Sequence, residues 1–356
     1  MTTPPTDTMI DPVAWAADLR AGRRRPQADI ERLVAGVLGG SIDLDAFGRW
    51  LVALADVGES AAEIAGVAAA LRAKMLPVAA DGLVADTCGT GGDGSGSFNI
   101  STAAALVVAA AGQPVAKHGN RAVSSKTGSA DVLESLGVKI DAGVEREARC
   151  LREIGLCFCL APLHHPAMAR VGPLRRSLGR PTVFNLVGPL CNPAGAAVQV
   201  IGVGRPAARE PMAEAARVLG ATRAVIVSGH VGSESGPAFD EVSLFGTTDV
   251  IDVSPTATTR SRWTPEDFGL ATQPAARLAE LEVGGPAESA AAIRSVLAGE
   301  RGPRRDVVVL NAAALLWVAG KAGDPRAAAA LAAAAIDSGR AAAVLAQLAA
   351  TSHAGD

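Results

Sequence analysis

Leu83-Val84-Ala85-Asp86-Thr87-Cys88-Gly89-Thr90-Gly91-Gly92-Asp93-Gly94-Ser95-Gly96-Ser97-Phe98-Asn99-Ile100-Ser101-Thr102, continuing as AAALVVAAA to residue 111, is the stretch on which the reading of this chain turns. The apolar run at 83–85 reads as a strand ending in a glycine cluster. The Ala/Val-rich segment at 101–111 reads as a helix apolar on every face, and such a helix is buried. Working outward, residues 198–203 and 224–227 read as further strands with a helix at 212–219 between them, and 307–310 as another strand. The last 30 residues read as Ala-rich helix with a frayed tail. Strands separated by helices predict an α/β fold with a mostly parallel central sheet and helices on both faces.

Upstream the pattern is helical. Residues 28–39 carry apolar side chains at helical spacing and stop at Gly39-Gly40; Ser41 opens a second helix through Phe47, Leu51 and Leu54. Ser60-Ala61-Ala62-Glu63 is a capping box before a helix at 64–75, and Pro77 ends the segment. The expected division is a small helical domain at 1–80 and a large α/β domain at 81–356.

Composition narrows the function. At 356 residues the chain has room for two domains of roughly 100–200 residues each. An apolar fraction of 49% with 19% charged residues supports a sizeable core and excludes intrinsic disorder. Aromatic residues make up only 3%, Tyr is absent and the net charge is −3, which argues against base-stacking platforms and against nucleic acid as the main partner. No apolar run approaches the ~18–20 residues of a membrane span, and the N-terminal MTTPPTDTMIDPVAW lacks the basic-then-apolar order of a signal peptide. Five cysteines without a CxxC pair offer neither a disulfide framework nor a zinc motif and are expected to be reduced thiols in a cytoplasmic protein. The expected partner is a small molecule.

Five glycines within residues 89–96 are more than a strand-to-helix turn needs. Clustered backbone N–H groups, together with the N-terminus of the following helix, predict a phosphate or pyrophosphate site. Two familiar motifs match by letter only. Gly89-x-Gly91-x-x-Gly94 fits the dinucleotide fingerprint, but no Asp or Glu occurs between Gly94 and Ala130 to hold a ribose. Lys126-Thr127-Gly128 matches a penicillin-binding element, but the chain has no Ser-x-x-Lys, and no Gly-Lys-Ser/Thr follows the glycines to make a P-loop. Downstream, KHGNRAVSSKTGSAD at 117–131 places three cations, a histidine, an asparagine and several hydroxyls on what reads as a loop after a strand. That density suits a polyanionic ligand bearing hydroxyls, such as a phosphorylated sugar.

GTGGDG, NIST and KHGNRAVSSKTGSADVLESLG, in that order and spacing, resemble anthranilate phosphoribosyltransferase. The likeness continues through His165-Pro166-Ala167-Met168, Pro173-Leu174-Arg175-Arg176, FNLVGPL at 184–190, Asn311-Ala312-Ala313 and Ile336-Asp337-Ser338-Gly339. The resemblance implies transfer of a phosphoribosyl group from phosphoribosyl pyrophosphate to the amine of anthranilate, with release of pyrophosphate, in tryptophan biosynthesis. It also implies Mg²⁺ and a homodimer contacting through its helical domain. The implied fold is nucleoside phosphorylase/phosphoribosyltransferase-like, with part of 165–195 returning to the helical domain. Carried over by position, Gly89, Gly92, Asp93, Ser97, Asn99, Ile100, Ser101 and Thr102 hold the pyrophosphate and its metal. Lys117, His118, Gly119, Asn120, Arg121, Ala122, Val123, Ser124, Ser125 and Ser129 line the phosphoribosyl site. Gly89, Asn120 and Arg175 contact anthranilate, with His118, His165 and Pro189 shaping its channel. Ser101, Asp240 and Glu241 fall where the family binds Mg²⁺.

The chain departs from the family pattern in two places. Ser97 stands where the family commonly has Thr, which keeps the hydroxyl. The family's HGxxGLDE becomes a longer Ser/Gly-rich segment from His230 to Glu241, so Glu234 rivals the Asp-Glu pair as a ligand.

Transfer at an anomeric carbon builds negative charge on the departing pyrophosphate, so Mg²⁺, Lys117 and backbone N–H groups are the expected electrostatic helpers. The amine is neutral near pH 7, so positioning can suffice without a general base; His118 is a candidate proton acceptor. Arg175 offers a planar fork for a carboxylate. Two rival readings share the fold: a pyrimidine nucleoside phosphorylase, and a nucleic-acid-binding relative without activity. The Arg175 region argues against the first; the −3 charge and the intact Lys117-His118-Gly119-Asn120 argue against the second.

Overall fold

The computed structural model describes residues 10–122, 126–233 and 238–354. Four helices come first: α1 (Pro12–Arg20), α2 (Gln27–Gly39), α3 (Leu44–Val57) and α4 (Ala61–Arg72). The alternating part follows as β1 (Ala85–Gly89), α5 (Ile100–Ala110), β2 (Val115–Gly119), α6 (Ser129–Ser135), α7 (Val144–Ile154), β3 (Leu156–Leu160), α8 (Ala161–His164), α9 (Gly172–Leu178), β4 (Val198–Gly202), α10 (Arg209–Val218) and β5 (Arg223–His230). The short β6 (Ala238–Phe239), β7 (Thr248–Val253) and β8 (Thr258–Trp263) complete the sheet, and α11 (Pro286–Leu297), α12 (Pro303–Val318), α13 (Pro325–Asp337) and α14 (Arg340–His353) end the chain.

The sheet runs β3-β2-β1-β4-β5-β7-β8, with β6 paired to β5. The first five strands are mutually parallel; β6, β7 and β8 add antiparallel pairs. The strand order reverses beside β1, which lies between β2 and β4. A parallel sheet opens a crevice at such a reversal, outside the carboxyl ends of the strands. Here that crevice opens at Gly89 and Gly202, which are register partners at the ends of β1 and β4.

Two hydrophobic cores flank the sheet. One packs α5, α12 and α14 against residues such as Val115, Val200 and Val225. The other gathers α1–α4 with Val171, Phe184, Leu190, one face of α10 and the opposite side chains of β4 and β5. Phe184 meets the Phe47 ring edge-on at 6.3 Å. Among the described residues no single helix is long and apolar enough to cross a membrane.

Several local expectations are corrected. Residues 307–310 are not a strand but the middle of α12, buried on almost every side. A short apolar run does not distinguish a core strand from a core helix, and the Pro303 start and 16-residue length decide for helix. The first strand begins at Ala85 rather than Leu83 and absorbs Asp86, Thr87 and Cys88. Lys117, His118 and Gly119 lie within β2 rather than on a loop. Ser41 closes α2 through the Gly36 carbonyl, while the Asp43 carboxylate accepts from Ala46 N–H and opens α3. As far as His353 the C-terminal helix is docked, not frayed. Ser352 Oγ accepts from Lys139 N–H at 2.9 Å, because the last helical turn packs against α7 and the loop before it.

Candidate active site

Gly89 ends β1 and the chain then turns through Gly91 and Gly92, whose φ angles of +76° and +79° belong to the left-handed region that glycine enters without strain. The turn is held from across the crevice. Asp240 accepts a hydrogen bond from Gly91 N–H at 2.6 Å. A Cβ at Gly89 would sit 2.6 Å from the Asp240 carboxyl carbon and 2.9 Å from its carbonyl oxygen, and one at Gly202 would overlap that same carbonyl. Two adjacent strand-end glycines are what let the segment carrying Asp240 and Glu241 lie directly on the sheet edge.

Glu241 accepts from Ser101 N–H at 3.1 Å, in the first turn of α5. The buried Lys117 ammonium, rising from β2, donates to Thr87 O at 2.8 Å and to Ser101 Oγ at 3.2 Å. Glycine turn, α5 N-terminus, Lys117 and the Asp240-Glu241 pair therefore meet at one place. Burial, and then the charges of Asp93 and Glu241, push the Asp240 carboxyl well above its ordinary range. Burial also outweighs the pull of Lys117 and lifts Glu241 to about 8. Asp93 binds Ser95 through one oxygen, while its Oδ2 is buried and has no partner among the described residues. Crowded carboxylates with raised pKa values and an orphaned oxygen make a donor set suited to a cation. Their all-oxygen donors, with the Ser101 hydroxyl, fit a hard divalent ion such as Mg²⁺.

The remaining expected residues have the following surroundings. Asn99 is locked by Thr127 Oγ1 at 3.0 Å and Ser289 Oγ at 2.7 Å, both donating to its Oδ1. Ser97 accepts from Ser95 Oγ, Ile100 is core, and Thr102 is buried behind them. Gly119 approaches Ser129 and Phe158 too closely for a side chain. Asn120 Oδ1 accepts from Arg121 N–H, and Ala122 N–H donates to Asp131. The Arg121 guanidinium is engaged by Asp131 and Glu134 at 2.9–3.1 Å. His118 and His165 face each other with ring centroids 5.2 Å apart. Burial, reinforced by His165, drives His118 down to about 3, so it is neutral at physiological pH. Its Nδ1 lies 3.1 Å from Gly188 O, beside Pro189. Arg175 on α9 stacks its guanidinium 5.3 Å over the Phe184 ring. Val123, Ser124, Ser125 and Glu234 lie outside the described residues.

Two further supporting residues, Asp86 and Asn311, stand in stretches quoted from the sequence but were given no role there. Asp86, fully buried on β1, accepts from Asn192 Nδ2 at 2.9 Å; burial raises it to about 6 against the opposing charge of Lys117. Asn311 on α12 clasps Val242 from both sides, accepting from its N–H at 2.9 Å and donating to its carbonyl at 3.1 Å, and so pins the residue after Glu241. A lone polar residue inside an apolar run is the signal for both, since buried polar groups are kept only where they are bonded.

The fold and this site define a glycosyl transferase: residues 81–342 match the family described as glycosyl transferase family, a/b domain. The anthranilate phosphoribosyltransferase of Novosphingobium aromaticivorans is 46% identical over 319 residues, covering 90% of this chain and 94% of its own. The crystal structure of anthranilate phosphoribosyltransferase from Thermus thermophilus superposes with a TM-score of 0.87 at 41% identity, over 97% of this chain and 100% of that one. The Saccharomyces cerevisiae enzyme in complex with PRPP and Mg gives 0.85 at 26% identity, over 96% and 97%. The chain belongs to the anthranilate phosphoribosyltransferase family.

Proposed function

We propose that this protein transfers the phosphoribosyl group of phosphoribosyl pyrophosphate to the amine of anthranilate and releases pyrophosphate, the step this family contributes to tryptophan biosynthesis. The observation that carries the reading is the meeting of the glycine turn, Lys117, Ser101 and the Asp240-Glu241 pair at the strand-order reversal. In the proposed assignment, Gly89, Gly92, Asp93, Ser97, Asn99, Ser101 and Thr102 receive the pyrophosphate, and Asp240 and Glu241 with Ser101 hold Mg²⁺. The ion would neutralise charge growing on the leaving pyrophosphate. Lys117 adds a fixed positive charge at the same place, already oriented by Thr87 O and therefore requiring little reorganisation. Residues 117–125 with Ser129 line the phosphoribosyl group.

Arg175 pairs with the anthranilate carboxylate through its guanidinium fork, held in plane by Phe184. His118, neutral, offers its Nε2, which has no partner among the described residues, as a hydrogen-bond acceptor; with His165 and Pro189 it walls the channel. The proposed domain division places residues 1–80 and part of 165–195 as the anthranilate-bearing side and 81–356 as the phosphoribosyl-bearing side. For a homodimer through the helical part, the candidate contact is the groove of Val13, Val52, Leu174 and Leu178, rimmed by Arg20, Asp45 and Arg49. The deciding experiment is the loss of anthranilate fluorescence on adding phosphoribosyl pyrophosphate and Mg²⁺ to purified protein. Fluorescence that stays constant overturns the assignment.

A further inference from the structure

Behind the site, at the edge of the sheet, lies a cluster that the proposed reaction does not use. Glu147 on α7, Cys157 and Cys159 on β3 and His164 at the end of α8 are all buried, at 0–2% exposure. Ligand atoms of Glu147, Cys159 and His164 lie within 4.8 Å of one another. Cys157 and Cys159 share a strand face, with their sulfurs 3.8 Å apart.

The imidazole is oriented as a ligand. His164 Nδ1 lies 2.7 Å from Leu76 O, and a carbonyl can only accept, so Nδ1 carries the proton. That leaves Nε2 facing a Glu147 oxygen at 2.7 Å. Neither atom makes an aligned hydrogen bond, and the second Glu147 oxygen is buried without a partner among the described residues. An imidazole lone pair and a carboxylate repel at that distance unless a cation lies at the cluster, either a proton on Nε2 or a metal ion. A mixed sulfur, nitrogen and oxygen set selects a borderline-soft ion, and a histidine whose other nitrogen donates to a backbone carbonyl is the usual outer support of such an ion.

We propose that Cys159, His164 and Glu147 bind a divalent cation of the Zn²⁺ class, with its fourth coordination position left open. Tetrahedral Zn–N and Zn–O bonds of about 2.0–2.2 Å would hold Nε2 and the carboxylate oxygen about 3.3 Å apart, so the pair opens by a fraction of an ångström on loading. The Cys159 thiol proton leaves to solvent as the thiolate forms. The ion would tie α7 and β3 to His164, whose backbone carbonyl and ring both hold Leu76 on the link from the helical part, and whose neighbour His165 faces His118. The site is separate from the oxygen-only Mg²⁺ site and rests on none of its assignments.

The test uses the full chain produced in zinc-supplemented and in cobalt-supplemented medium, because a site this buried fills during folding. Elemental analysis should find about one Zn²⁺ per chain after chelator dialysis, and X-ray absorption of that protein should show sulfur scattering near 2.3 Å. The cobalt protein should show thiolate-to-cobalt charge transfer in the near ultraviolet. That band should vanish in Cys159→Ser and persist in Cys150→Ser. Folded wild-type protein without tightly held metal, or with only oxygen and nitrogen scattering, overturns the proposal and leaves a proton on Nε2. So does a charge-transfer band that survives Cys159→Ser. The absorption measurement needs no variant, so it decides the question even where a Cys159→Ser chain fails to fold.

Discussion

Gly89→Ala isolates the contact between the two sides of the crevice. The φ of Gly89 is not in the left-handed region, so alanine carries no backbone strain, and the three atoms nearest the added methyl group all belong to Asp240: two of its carboxylate and its backbone carbonyl oxygen. Its Cβ would lie 2.6 Å from the Asp240 carboxyl carbon, while carbon atoms settle at about 3.5–4.0 Å. The carboxylate, at the end of a rotatable side chain, must therefore retreat by about 1 Å, and the Asp240 backbone, whose carbonyl oxygen would lie 2.9 Å from the Cβ, must shift as well. That displacement breaks the 2.6 Å hydrogen bond from Gly91 N–H. A hydrogen bond to a charged group contributes about 1.5–3 kcal/mol, which corresponds to roughly a 10- to 150-fold change. The expected outcome is a shift of that size in the Mg²⁺ concentration giving half-maximal rate, with the KM for anthranilate changed less than about threefold and a cooperative thermal transition retained. If the effect passes through Asp240, adding Gly89→Ala to Asp240→Asn should cost nothing further, since contacting residues are not additive. A fully additive penalty, or an equal loss in anthranilate affinity, would refute this account of the glycine.

Three further outcomes are expected. Asp240→Asn with Glu241→Gln should raise the Mg²⁺ requirement strongly while Glu234→Gln behaves as the parent, read from initial rates across a Mg²⁺ titration. Arg175→Ala should weaken anthranilate by roughly ten- to a hundred-fold with phosphoribosyl pyrophosphate nearly unchanged, measured as separate KM values; equal damage to both would make Arg175 structural. The carboxyl pair also sets a pH dependence. Its folded pKa is raised, with Glu241 at about 8, so between the ordinary carboxylate value and pH 8 the folded state binds more protons than the unfolded one. Stability of Mg²⁺-free protein should fall as pH rises through that window. Thermal melts at pH 5 and pH 8 should show the fall, Mg²⁺ should reverse it at pH 8, and the double variant should flatten it.

Most of the chemistry is legible along the chain because it is local. Gly91 and Gly92 announce positive φ whatever surrounds them, and the helix after them supplies N-terminal donors by its own hydrogen-bond geometry. The capping box at Ser60 and Glu63 likewise forms where the motif stands, because both partners lie within one turn. Sequence and structure part where burial, not local preference, decides. Residues 307–310 are equally apolar as strand or helix, and only packing of α12 against α5 and the sheet selects helix. Lys117 reads as a loop cation, but on β2 its ammonium is buried and stabilised by Thr87 O, Ser101 and nearby carboxylates.

The sequence by itself determined the glycine turn after the first strand, the alternation that makes a parallel sheet, and the family, since each is written in short stretches of the chain. Only the tertiary structure brought Asp240 across 149 residues to Gly91, set Asn311 against Val242 across 69 residues, and gathered Glu147, Cys159 and His164 from helix, strand and turn. Those meetings depend on the order of strands in the sheet and on the glycines that let backbones touch. Neither is encoded in any single window of sequence, because the free energy of a long-range contact belongs to the packed whole.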